Sequence, residues 1–393
     1  MPQVLHPLRF TGATILRDGE LQQRSLAIAD GRITKGPLPE VDLSGYLILP
    51  GIIDLHGDAF ERHIAPRPSA PFALPTGLAS TDRDAAANGV TTAWLAQSWS
   101  WEGGHRGPER AEEIMAALSA YRNHALTDLR LQVRCETHLV DSGPRLLAAI
   151  RRHGIDYVVF NNHLEEAVDH ARERPEVIYH WARQAGRTPD EHMTLVNGAL
   201  ARAREVPRHL CSLAEAFDEM GVLYGSHDDP DGETRERYSM IGARIAEFPT
   251  SRKAAAAAKA MNDPVLMGAP NVMRGGSQSG NIAAMDLIHQ GLCDALVSDY
   301  YYPALAGAAW RLVDEGVMGL PAAWAMISQK PAEILRLPDR GRLDFGKRAD
   351  LCVINRQTRR IEMTIAGGRL SFLSGEAAHR FSGRITALNM AAE

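Results

Sequence analysis

Apolar and polar positions follow two rhythms along this chain. From Pro50 to about Leu335, short β-branched and apolar runs alternate with stretches whose apolar residues recur at helical spacing, the signature of parallel βα units. Eight strands are readable, beginning at Ile52 (IIDLH), Val90 (VTTAWLA), Leu129 (LRLQVRCETHL), Tyr157 (YVVFNNH), Val222 (VLYGSH), Arg244 (RIAEF), Val265 (VLMGAP) and Ala295 (ALVSDY). Helical runs such as RAEEIMAALSAYRNH and PRLLAAIRRHG lie between them, several closed by glycine. Eight such units predict an α/β fold, a (β/α)8 TIM barrel with its chemistry at the C-terminal ends of the strands. The connection from about Glu165 to Gly221 is too long for one crossover and predicts extra helices.

The flanks are different. Residues 1–49 read as short strands parted by turn signals such as Arg17-Asp18-Gly19, and 336–393 continue that style with LCVI and EMTIA as strands. Both termini are therefore expected to form one small β-sandwich domain, 1–49 with 336–393. The barrel domain, 50–335, would be inserted between them.

Composition narrows the partners. Of 393 residues, 45% are hydrophobic and 23% charged, ordinary globular usage that argues against disorder. A formal net charge of −5 speaks against nucleic acid or an anionic membrane as the main partner, so an anionic substrate would need a focused patch of arginines. The four cysteines, Cys135, Cys211, Cys293 and Cys352, contain no CxxC pair, which suggests neither a zinc knuckle nor a disulfide framework. The opening residues carry no sustained apolar segment of signal-peptide type, and no run reaches membrane-spanning length. A soluble, cytoplasmic protein is expected; a homo-oligomer is left open.

Candidate chemistry collects at the strand ends. His56 and Asp58 are two apart at the end of the first strand, so alternation would turn both into one cavity, a start for a divalent metal site. His138, His163 and His227 end other strands, as do Glu136, Asp228, Glu247 and Asp299. All of these would converge on one mouth of a barrel. None of the lysines sits at a strand end, so a group bridging two metals would have to be a carboxylate, and Glu136 is best placed for it. His138 shares the strand face of Glu136 and is either a ligand or a neighbouring polar group.

The run Arg274-Gly275-Gly276-Ser277-Gln278-Ser279-Gly280 follows the seventh strand and opens a helix. It offers a guanidinium, hydroxyls and free backbone N–H groups, all suited to phosphate. Arg67 and Lys330 are further phosphate candidates. The charged trio Glu61-Arg62-His63 and the Trp-rich segment SWSWEGGHRG from Ser98 have no assigned role.

PGIIDLHGD, followed by the strand-terminal Glu, His, His and Asp between two β-rich flanks, resembles the amidohydrolase superfamily of barrel metallohydrolases. DLHGDAFERHIAPRP, VVFNNH, SHDDPD, AEFPTS, MGAPNVMRGGSQSGN, SDYYYPA, QKPAEIL and GKRADL are more specific and resemble its alkylphosphonate-utilisation branch. The resemblance spans nearly the whole chain. It implies a binuclear metal-dependent hydrolase that cleaves a phosphoanhydride, releasing pyrophosphate from α-D-ribose 1-methylphosphonate 5-triphosphate. Two divalent ions are implied, zinc first, with manganese or iron as alternatives. Carried over by motif, His56, Asp58 and Asp299 would hold one metal, His163 and His227 the other, with Glu136 bridging and Asp299 also orienting the attacking water. The commoner superfamily pattern has a second histidine where Asp58 stands. A cyclic-amide hydrolase or deaminase on the same scaffold is the alternative activity.

Overall fold

Eight strands pair in parallel, each with its neighbours in chain order: Ile52–Gly57, Val90–Trp99, Asp128–Glu136, Tyr157–Asn161, Leu223–His227, Ala246–Glu247, Val265–Gly268 and Ala295–Val297. They are the eight strands expected from the apolar runs, and they make the barrel. The structure, a computed structural model, describes residues 3–67 and 70–390; Pro68 of the first motif and the extreme residues of the expected terminal module, 1–2 and 391–393, lie outside them.

Strands one and eight meet through a single parallel bridge, Gly57 to Asp299. There Asp299 N donates to His56 O at 3.0 Å, and Asp58 N donates to Asp299 O at 2.7 Å. Further down the seam, the carbonyls of Met326 and Ile327 accept from Leu296 N and Ile53 N, both at 2.9 Å. Gly57 belongs at this seam: a Cβ would stand 2.7 Å from Ser298 Oγ and 2.8 Å from Asp54 Oδ2. Those two groups are a buried clamp, with Ser298 donating to Asp54 through its N at 2.8 Å and its Oγ at 2.6 Å.

Alternation along the strands sorts the side chains. On the third strand Leu131, Val133 and Cys135 face outward into the layer between sheet and helices, while Gln132, Arg134 and Glu136 face the axis. Ile53, Leu55, Trp94, Tyr157, Val159, Ile245 and Leu266 fill the lower barrel. Apolar residues thus close the bottom, and polar ones are held at the top.

The long connection after strand four contains four helices, Leu164–Glu173, Pro175–Gln184, Pro189–Ala201 and Val206–Met220. The first three enclose a small core of their own, Leu164, Ala167, Ile178 and Val196, into which Trp101 inserts from the loop after strand two. A capping box fixes the third: Thr188 Oγ1 accepts from Glu191 N at 3.2 Å, and Glu191 Oε2 accepts from Thr188 N at 2.8 Å.

Both termini build the remaining sheets. One has four strands, with Leu8–Thr11 between Leu26–Ala29 and Glu40–Asp42. The other has six, in which Tyr46–Pro50 pairs antiparallel with Leu351–Asn355 and parallel with Thr14–Arg17. A shared core including Phe10, Ile15, Ile48, Val353 and Ile365 lies between them. The helix Gly375–Met390, not foreseen from the sequence, adds Ala377 and Phe381 to that core. The four cysteines are free, and no helix among the described residues is long and apolar enough to cross a membrane.

Asp128, at the start of strand three, ties the module's linker to the barrel. It accepts from Arg130 Nη2 at 3.0 Å, Arg340 Nη1 at 2.7 Å and Arg348 Nη1 at 3.2 Å. Burial opposes its ionisation, but the three guanidiniums outweigh this and hold the carboxyl well below its usual range. A depressed carboxyl stabilises the fold above its unfolded pKa of about 4 and loses that contribution as pH falls. We expect Asp128→Asn to lower unfolding free energy by about 3 kcal/mol at neutral pH. In urea titrations the deficit should shrink below about pH 4; a deficit independent of pH would refute the ionic origin.

Candidate active site and metal centre

Glu247, on the two-residue strand six, is fully buried and saturated. Its Oε1 accepts from Gln132 Nε2 and Tyr157 OH, both at 2.6 Å. Its Oε2 meets His56 Nδ1 at 2.8 Å and His227 Nδ1 at 3.2 Å. The two imidazoles stack with centroids 5.1 Å apart and planes 20° apart, and Phe248 sets its edge against both. Burial opposes charge on Glu247, yet His56 and His227 hold its carboxyl far below the usual range. The same pairing lifts His56 overall against its burial, whereas burial lowers His227, and Arg134 adds to that.

The network assigns the tautomers. With Nδ1–H of each ring directed at Glu247, both Nε2 atoms are left as acceptors toward the mouth. One of them, His227 Nε2, accepts an N–H from Arg134 Nη2 at 3.1 Å.

A second group stands on strands two to four. Glu136 Oε1 meets His163 Nδ1 at 2.8 Å and accepts from Asn161 Nδ2 at 2.7 Å; its Oε2 accepts from Trp101 Nε1 and His163 N, both at 3.2 Å. Glu102 Oε1 lies 3.2 Å from the same His163 Nδ1, and Arg106 Nη1 donates to Glu102 Oε2 at 2.9 Å. Burial disfavours charge on both His163 and Glu102, but their pairing prevails: His163 is raised to about 9, chiefly by Glu136, and Glu102 is lowered to about 2 by His163 and Arg106. Gly103 lets the loop close here. Its φ is +73°, and a Cβ would come within 2.5 Å of the Arg187 guanidinium, which itself donates to Glu102 O at 2.8 Å.

The potential ligand atoms of His56, His227 and Glu247 lie within 4.8 Å of one another, as do those of Glu102, Glu136 and His163. Imidazoles oriented by a carboxylate on Nδ1 and open at Nε2 are the usual arrangement of metal-binding histidines, and two further carboxylates add hard oxygen donors. The donor chemistry therefore fits divalent cations.

Three non-glycine residues at the strand ends have left-handed backbones: Asp228 at φ +59°, Phe248 at +50° and Asp299 at +56°. Two of them directly follow His227 and Glu247. Such strain, costly for a bulky residue like phenylalanine, is held where the surroundings fix it and concentrates at functional sites.

A cavity of about 200 Å³ opens over the first group, lined among others by His56, His227, Arg134, Arg274, Ser277 and Asp299. Ser279 lines it too, and Arg274 Nη1 donates to Gln278 Oε1 at 3.1 Å within the loop. Burial raises Asp299 to about 6, with Asp58 adding to the shift and His56 opposing it.

The structure thus brings His56, His227, Asp299, Arg274, Ser277 and Ser279 to one cavity, and pairs Glu136 with His163 beside it. It groups His56 with His227 and His163 with Glu136 and Glu102, which differs from the pairing implied by resemblance. Asp58 belongs to neither group, though its N donates to Asp299 O at 2.7 Å and its charge bears on Asp299. His138 is also outside them, with Nδ1 3.0 Å from Thr137 Oγ1. Arg67 is exposed on the loop after helix Phe60–Ile64. Lys330 is not brought to the site: it lines a cleft at the opposite, N-terminal end of the strands with Val222, Pro264 and Asp294, and pairs with Glu333 at 3.1 Å.

Sequence reasoning missed Glu102, Trp101, Asn161 and Arg134. It had set Glu247 beside the site without its central position. Glu102 and Trp101 belong to the Trp-rich segment that stood out without a role, the one signal that could have found them.

No protein-family model matches the chain. Among curated proteins it is 31% identical over 367 residues to alpha-D-ribose 1-methylphosphonate 5-triphosphate diphosphatase of Escherichia coli (strain K12), covering 89% of this chain and 95% of that protein. Solved structures with the same architecture include a beta-aspartyl dipeptidase from Fervidobacterium islandicum AW-1, with TM-score 0.64, 13% identity and coverage of 94% and 98% of the two chains. N-acetylglucosamine-6-phosphate deacetylase from Pasteurella multocida gives TM-score 0.60, 13% identity and coverage of 93% and 99%. An enzyme described as an amidohydrolase gives 0.63, 15% identity and coverage of 94% and 100%. These distant structures share the fold. The curated relative carries the family: the chain belongs to the alpha-D-ribose 1-methylphosphonate 5-triphosphate diphosphatase family of hydrolases.

Proposed function

We propose that the protein hydrolyses the phosphoanhydride of a sugar 5-triphosphate and releases pyrophosphate, with α-D-ribose 1-methylphosphonate 5-triphosphate as the substrate. One observation carries this reading: two carboxylate–imidazole groups and a cavity lined by Arg274, Ser277 and Ser279 share one barrel mouth. His56 and His227, joined by Asp299 from the cavity wall, would hold one divalent cation, and Glu102, Glu136 and His163 a second, with zinc the first choice and manganese or iron the alternatives. Bound there, such cations supply Lewis acidity, acidifying the attacking water and neutralising phosphoryl charge.

The remaining steps belong to side chains. Asp299, at the cavity wall, orients the water and accepts its proton as the oxygen attacks phosphorus. The bond to the bridging oxygen breaks, and pyrophosphate leaves with that electron pair. Arg274 and the hydroxyls of Ser277 and Ser279 bind the oxyanions of the departing group, holding charge where it develops. Glu247 keeps both imidazoles in the tautomer that faces the mouth.

The test is pyrophosphate release by the metal-reconstituted protein, with a nucleoside triphosphate and a cyclic amide as parallel substrates. Release from the phosphonate sugar is expected, and Arg274→Ala should raise KM for that triphosphate by roughly tenfold while leaving a neutral ester unaffected. Turnover of the amide alone would overturn the reading.

A further inference from the structure

The axis-facing side chains of strand three form a ladder, Gln132, Arg134 and Glu136, and only the middle rung lacks a match. Gln132 donates to Glu247 at 2.6 Å, and Glu136 has four hydrogen-bonding contacts. Among the described residues Arg134, with five N–H donors, has one hydrogen-bond partner, the acceptor His227 Nε2. Its Nε is buried and hydrogen-bonds to nothing, and no carboxylate lies within 4.0 Å of its guanidinium among the described residues. Other inward guanidiniums are matched: Arg235, fully buried, faces Asp229 at 3.2 Å, and Arg106 faces Glu102 at 2.9 Å.

Arg134 is partly exposed with its Nε buried, so its fork opens into the cavity with no anion against it, and a guanidinium held this way is a ready bidentate partner for an oxyanion. Arg134 lines the same 200 Å³ cavity as Arg274, on the wall nearest the histidines. From its place against His227 on the cavity wall, its charge also bears on His56, His163, Asp299 and Glu61.

We infer that Arg134 is an anion-binding residue of the active site, its guanidinium fork completed by the phosphoryl oxyanion of the group under attack, deeper than the Arg274 loop that takes the departing group. This rests on the phosphoanhydride reading for the identity of the substrate. Binding the anion exchanges the single hydrogen bond to His227 for charge-assisted ones, which leaves His227 Nε2 free. Arg134 and Arg274 thus divide one polyanion between them, and the cavity accepts a chain of phosphoryl groups in a fixed direction.

The experiment is calorimetric titration of inorganic phosphate into the full-length protein as purified, for the wild type, Arg134→Gln and Arg134→Met, with folding checked by thermal melting. Wild type should bind phosphate, and both variants should bind it at least tenfold more weakly with little change in melting, because the side chain makes one hydrogen bond. In Arg134→Ala, added ethylguanidinium should restore phosphate affinity, a rescue that a structural role would not produce. Unchanged affinity in whichever of Arg134→Gln and Arg134→Met folds would overturn the assignment, as would absence of phosphate binding by the wild type or failure of the rescue. If phosphate binding depends on Arg134 but no triphosphate yields pyrophosphate, the Arg134 assignment stands and the substrate reading falls.

Discussion

Glu136→Ala should leave the protein folded, short of metal and without hydrolytic activity. The carboxylate is the hub of its group, touching His163 at two atoms and accepting from Asn161 and Trp101. Its loss leaves Glu102 and His163 as two ligands, too few for a tight site. If the cations contribute about 4 kcal/mol of transition-state stabilisation, losing one lowers kcat/KM by on the order of a thousandfold. Elemental analysis beside the pyrophosphate assay decides the point. Full metal occupancy in Glu136→Ala would remove Glu136 from ligation, whatever happened to the rate.

The largest effect on stability should come from Glu247. Four donors converge on it from strands one, three, four and five, so it joins half the barrel at one buried point. Glu247→Ala strips the acceptor from two imidazoles, an amide and a phenol at once. Loss of one member of a buried charged network costs about 3–5 kcal/mol, and equilibrium unfolding in urea would show it. Glu247→Gln keeps the volume and should cost less, while still releasing the imidazoles from their shared tautomer. If the alanine variant were as stable as the wild type, the network would be a bystander to folding.

The barrel was readable because most of its strands sit in apolar runs, a character of parallel strands buried on both faces, although strand six is only the pair Ala246–Glu247. The terminal sheets were readable from turn signals, but the helix Gly375–Met390 was not, since its mixed residues gave no strong apolar stripe. For the site, residues on or just beyond strand ends could be found by position. His56, Glu136, His163, His227 and Asp299 are of this kind. Glu102 could not, because it lies in an irregular loop whose path is set by Gly103 and Arg187. The weight of Glu247 depends on Gln132 and Tyr157, far away in sequence, and no local pattern announces such a meeting. Arg134 alternates with apolar Val133 and Cys135, so in isolation it reads as the solvent side of a strand.

The pairing of Tyr46–Pro50 with Leu351–Asn355 also governs how the molecule can be made. On the ribosome, roughly 300 residues separate the emergence of these partners, a delay on the order of 15–60 s at 5–20 residues per second. For that interval the apolar strand Tyr46–Pro50 has an open edge, an invitation to pair with another nascent chain. Synthesis therefore favours an order in which the barrel closes first and the split sheet is sealed last, so premature termination would abandon an unfinished edge on an otherwise completed barrel.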